Sequence, residues 1–103
     1  MAAHEVKIRI IKSISEGTKN IVAGRMKDRG LIEKLKQADA LALVHGDVCD
    51  IIYATDLAQK AADVDVFEIS GNCPQHLTCI GVLGDTSAVD AAVQKIRAGL
   101  DSD

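Results

Sequence analysis

VDVFEISGNCPQHLTCIGVLGD, Val64 to Asp85, holds the two strands and the loop on which the fold turns. Its first part, VDVFEI, is rich in β-branched residues and is bounded by Ser70-Gly71, so it reads as a strand. A second apolar run, LTCIGVL, closes at Gly84-Asp85 and reads as its hairpin partner. The loop between them carries Gly71, Asn72, Cys73, the only proline (Pro74), Gln75 and His76. Two of the three cysteines and one of the three histidines fall between Cys73 and Cys79. Gly71 is expected to supply a turn at positive φ.

Downstream, TSAVDAAVQKIRAGL predicts a helix that buries Val89, Ala92, Val93, Ile96 and Leu100, with Ser87 as N-cap and Asp90 three residues on. Upstream, ALALVH (Ala40 to His45) predicts a buried strand, and Asp47 caps the helix VCDIIYATDLAQKAAD that follows. The expected apolar stripe of that helix is Val48, Ile51, Ile52, Thr55, Ala58 and Ala62, with Cys49 as a small buried or half-buried side chain. LIEKLKQA predicts a short helix with Leu31, Ile32 and Leu35 on one face. Nearer the N-terminus, NIVAGRM (residues 20 to 26) is expected to be a short strand after a turn at Glu16-Gly17. Val6, Ile8 and Ile10 alternate with Glu5, Lys7 and Arg9, the period of a half-buried strand, and the alternation slips at Ile10-Ile11.

Strand, helix, hairpin, strand, helix is most of a ferredoxin-like split βαβ pattern, but the strand that should follow the last helix is missing. A circular permutation restores it, with NIVAGRM in the vacant place of the sheet. Val6 to Ile14 is then left over. An unpaired edge usually finds a partner chain, so the pattern implies an oligomer.

Composition narrows the function. The chain has 103 residues, enough for one core, and is 48% hydrophobic but only 2% aromatic. A net charge of −3 and the lack of stacking aromatics argue against nucleic acid. No apolar run approaches the ~20 residues that span a bilayer, so no membrane is expected. MAAHEVKIRI has no signal-peptide core, and three cysteines suit a reducing compartment, so the expectation is cytoplasmic. There is no phosphate-cradling glycine motif, nucleophile elbow or H-E-x-x-H, and Asp47, Asp50 and Asp56 read as a cap and a polar helix face. No residue is assigned as catalytic, and no enzyme is expected.

ADALALVHGD, DLAQKAADVDVFEI and CIGVLGDTSAVDAAVQKI together resemble a bacterial microcompartment (BMC) shell domain. The order, opened by KIRIIKSISEGTKNIVAG, resembles the circularly permuted subclass, and the likeness runs from about Val6 to Leu100. Its most specific parts are DLAQKAA (Asp56 to Ala62) and Gly84 to Val89. The resemblance implies an α/β (α+β) fold: a permuted ferredoxin-like domain whose antiparallel or mixed sheet has helices on one face. It implies residues 18-103 as the shell domain and 1-17 as an N-terminal strand extension, closing a barrel over a pore in the oligomer. It further implies a structural protein in a microcompartment shell, forming homo-hexameric tiles with other shell proteins around encapsulated enzymes. Gly71, Asn72, Cys73, Pro74, Gln75 and His76 would be the pore loop, and Lys60 the hexamer-edge contact.

The branch associated with glycyl-radical-enzyme compartments carries G-x-C-P-x-Q-C in this loop and an iron–sulfur cluster at the pore. Gly71, Asn72, Cys73 and Pro74 match it in register, whereas His76 and Leu77 stand where its Gln and second Cys are expected, and Cys79 comes two residues late. Cys73 is therefore the leading candidate metal ligand, the alternative being a simple loop thiol, and no cofactor is expected. His76 is a candidate pore-lining or ligating side chain. Two other functions fit the pattern: an iron–sulfur or metal-binding redox shell protein built on Cys73, and a small-ligand regulatory domain of ferredoxin-like fold.

Overall fold

The computed structural model describes residues 5–71 and 76–101. In chain order it contains β1 (Lys7–Lys12), α1 (Glu16–Arg25), α2 (Ile32–Gln37), β2 (Ala40–Asp47), α3 (Val48–Ala61), β3 (Asp65–Ile69), β4 (Leu77–Gly84) and α4 (Thr86–Asp101). The strands form one sheet in the order β1-β2-β4-β3, antiparallel throughout. From β2 to α4 this is the split βαβ order, and the strand missing after α4 is supplied from the N-terminus. The permutation is therefore real, but β1 fills the vacant place.

Two expectations are corrected here. Val6 to Ile14 is not spare: β1 pairs with β2 without interruption from Lys7↔His45 to Lys12↔Ala40. Residues 1-17 thus contain an integral strand of the sheet. The slip at Ile10-Ile11 needs no bulge. Ile10 packs with the α3–α4 side and Ile11 with the opposite core, because the sheet is covered on both faces at that end.

NIVAGRM, in turn, lies mostly in α1 and is not a strand. Ser15 caps that helix, its hydroxyl accepting from the Thr18 N–H at 3.3 Å, with Glu16 in the first turn and Arg25 in the last. Val22 and Met26, one turn apart, are buried, while Ile21 is 67% exposed. Adjacent β-branched residues suggested a strand; the cap and the spacing of the buried side chains decide for a helix.

Alternation on the strands divides the core in two. Ala40, Ala42 and Val44 of β2 and Ile80 and Val82 of β4 face α3 and α4, where Ile51, Ala54, Ala58, Val89, Val93 and Ile96 complete one cluster. Small alanines at the contact let both helices lie close to the sheet. Leu41, Phe67 and Leu83 face the other way and pack with Val22, Met26 and Leu35. α3 and α4 thus occupy one face as expected, while α1 and α2 add a partial cover on the other. Leu35 is fully buried there, which contributes roughly 1.5–3 kcal/mol by transfer alone.

The caps follow the sequence with one change. Asp47 caps α3, its carboxylate accepting from the Cys49 N–H at 2.9 Å. At α4 the cap is Asp85, not Ser87: its carboxylate accepts from the Ala88 N–H at 2.8 Å and the Ser87 hydroxyl at 3.0 Å. These bonds, the Ala88 N–H foremost, hold the Asp85 carboxyl below the usual range. Its contribution is accordingly present above about pH 4 and is lost as acid protonates it.

Candidate functional site

The β3–β4 loop emerges at one end of the sheet, and both of its roots are tied to helix ends. An α-helix leaves its first N–H groups and last carbonyls without internal partners. The C-terminal end of α1 resolves this through the loop's first root: the Ser70 N–H donates to the Arg25 carbonyl at 2.7 Å. The Arg25 guanidinium returns a bond to the Ser70 carbonyl at 3.3 Å. Met26 bridges Ile69, and the Lys27 N–H donates to the Glu68 carbonyl at 3.2 Å. At the second root the Val48 N–H, the first of α3, donates to the His76 carbonyl at 2.9 Å. Sequence reasoning missed Arg25 and Val48 as loop supports. The contacts are non-local, and the segment holding Arg25 reads locally as a strand.

Gly71 and His76 are exposed at the two roots. Asn72, Cys73, Pro74 and Gln75 lie outside the described residues. The candidate metal ligand Cys73 is among them. No described glycine has positive φ, so Gly71 does not need one; Ser13 does, at 53°, in the turn after β1.

Cys79 lies in β4 as expected, half-buried, opposite His45 of β2 on one side and Ile69 of β3 on the other. Its position in a regular ladder prevents it from following the loop, so the described residues do not fit the branch's two-cysteine cluster motif. Among the described residues no three His, Cys, Asp or Glu side chains gather into a metal-binding group. Cys49, expected to be buried or half-buried, is exposed in the first turn of α3, because the helix buries Ile51, Ala54 and Ala58 on the opposite side. Ile52, placed on the apolar stripe from sequence, is 67% exposed for the same reason.

Lys60 lies in the last turn of α3 with its side chain 73% exposed and its ammonium 2.8 Å from Asp56. The hydrogen bond and charge of Asp56 raise its pKa above the ordinary lysine value, so it is cationic throughout the neutral range. α3 has 14 residues. At 1.5 Å per residue, Lys60 stands roughly 18 Å along the helix axis from Val48 and the loop it anchors. One rigid helix therefore separates the loop from Lys60. Asp47 is a cap and Asp56 a lysine partner, so the acidic residues of α3 form no acid–base pair. Among the described residues no helix is long and apolar enough to cross a membrane.

The BMC domain family matches residues 40–102. Two solved structures are similar over most of the chain. The ligand-free GrpU microcompartment shell protein from Clostridiales bacterium 1_7_47FAA is 32% identical, with 88% of this chain and 87% of that one covered and a TM-score of 0.64. The corresponding GrpU protein from Pectobacterium wasabiae is also 32% identical, with 88% and 99% covered and a TM-score of 0.67. The fused permuted hexameric shell protein of the RMM microcompartment shares the fold at 19% identity, with 94% of this chain and 46% of that one covered and a TM-score of 0.68. The comparison with curated protein sequences finds no match.

Proposed function

As the chain belongs to the bacterial microcompartment (BMC) domain family, whose members are structural proteins of the compartment shell and not enzymes, we propose that it works as a homo-hexameric tile. Residues 71 to 76 surround the six-fold axis, and Lys60 stands at the outer edge. The carrying observation is the placement of these two features at opposite ends of α3, as a tile requires: an axis at one end, a neighbour at the other. The ties from Arg25 and Val48 hold the loop's two roots at that end of the sheet. Identity of 32% to two GrpU proteins, with Gly71-Asn72-Cys73-Pro74 in the motif register, supports the glycyl-radical-associated branch. The tile's work is then assembly with other shell proteins around enzymes, and retention of a reactive small intermediate behind the pore.

Lys60→Ala tests the edge. A long exposed lysine can lay its stem along a neighbouring tile and give its ammonium to that tile's carbonyls. The variant is expected to keep the wild-type particle mass while losing sheets or tubes in electron micrographs. Loss of the particle itself would place Lys60 inside the ring and overturn its edge role.

We further propose that the tile holds no resident iron–sulfur cluster. Such clusters ordinarily take four thiolates in defined geometry. Leu77 replaces the motif's second cysteine, and Cys79 is held in the β4 ladder. Protein reconstituted anaerobically with iron and sulfide should be nearly colourless after desalting. A broad absorption near ~400 nm that Cys73→Ser abolishes would contradict this and favour the redox shell protein.

A further inference from the structure

The two outer edges of the sheet carry different grooves, and the fold alone explains neither. Beside β1, a groove of about 320 Å³ is lined by Val6, Ile8 and Leu100 and flanked by Lys7, Arg9 and Arg97. Among the described residues along it, Asp101 is the only acidic one. Beside β3, a groove of about 290 Å³ lies between α3 and the β3–β4 hairpin, bounded by Val48, Ile52, Thr55, Val66 and Thr78. Among the described residues that line it, Glu68 is the only charged one. One carboxylate oxygen of Glu68 accepts from Thr78 at 2.8 Å and the other faces Lys27 at 3.5 Å. Ile52, at the rim of this groove, is 67% exposed.

We propose that these grooves are the two halves of one head-to-tail interface between copies of this chain: the basic β1–α4 groove receives the α3–β3 side of the next copy, with Arg97 set against Glu68. Charge and apolar surface are complementary across the two, and neither groove complements itself. A contact between unlike surfaces is heterologous, and repeated copies close into a ring if the rotation allows. Both grooves lie at the loop end of the sheet, since Lys7 pairs with His45 and Thr78 with Gly46. Pairing them therefore gathers the β3–β4 loops of successive copies on one side. The inference rests on the homo-hexameric reading and adds to it which surfaces meet.

Arg97 and Glu68 are both exposed, so reversing either charge should leave the folded chain intact by circular dichroism. The protein is taken as wild type, Arg97→Glu, Glu68→Arg and the double variant, and particle mass is followed by sedimentation against concentration. Each single reversal puts like charges across every interface of the ring, and the concentration at half-assembly is expected to rise at least about tenfold. The double variant, and an equimolar mixture of the two singles, should recover the wild-type mass. A wild-type ring that both single variants retain would overturn this pairing and leave the tile reading standing. So would single variants that fall apart without rescue in the double variant or the mixture. A wild-type monomer would overturn the tile reading and the pairing together.

Discussion

A chain that begins at Ser13 should not fold cooperatively. β1 looks dispensable in the sequence, yet it pairs with β2 over six positions, and Ile8 and Ile10 pack against the larger core beside Ala42 and Val44. Removing it turns β2 into an edge strand, although Leu41, Ala42 and Val44 are all fully buried. Each lost ladder bond costs about 0.5–1.5 kcal/mol net, and each bared isoleucine about 1 kcal/mol or more. The sum rivals the roughly 5–15 kcal/mol by which a domain is stable. The truncated chain is expected to be insoluble or to melt without a sharp transition in circular dichroism. A soluble product with a cooperative melt within a few degrees of the full-length chain would contradict the place of β1 in the sheet.

Gly81→Val should be the most damaging single substitution at a glycine. Gly81 of β4 stands directly opposite Phe67 of β3, and the phenyl ring lies across it. A Cβ at Gly81 would meet the Phe67 ring end-on, with Cε2 at 2.7 Å and Cε1 at 3.0 Å. The ring cannot retreat: Phe67 is 3% exposed, in a cluster with Met26, Leu35, Leu41 and Leu83. Overpacking of this kind costs about 1–3 kcal/mol and at times more. At about 4–8 °C per kcal/mol for a domain near this size, the melting temperature should fall by about 10 °C or more. Phe67→Leu in the same chain frees space at the ring position, so the pair should be less destabilised than the sum of the singles. A Gly81→Val melt indistinguishable from wild type would mean that Phe67 does not occupy this position.

These two sites also show what the sequence made legible. The hairpin, α3 with its Asp47 cap and the buried stripe of α4 could be read locally, because period and capping are local signals. The stripe of α4 came out residue for residue. The vacant strand position and the permutation were legible as well, but not the strand that fills it. Ile8 meets Val44 across most of the N-terminal half, and no short-range pattern records that pairing. Ile21-Val22 favours a strand locally, while burial of Val22 against the second core makes this segment the helix α1. The loop's composition stood out at once. Its ties to Arg25 and Val48, and the unlike grooves on the two edges, exist only after folding.

Particle mass in dilute solution, by native mass spectrometry or sedimentation, tests the central claim most directly. The account predicts one dominant species of six chains of 10.9 kDa each, persisting at micromolar concentration. A stable monomer, or a defined dimer with no larger species, would contradict it.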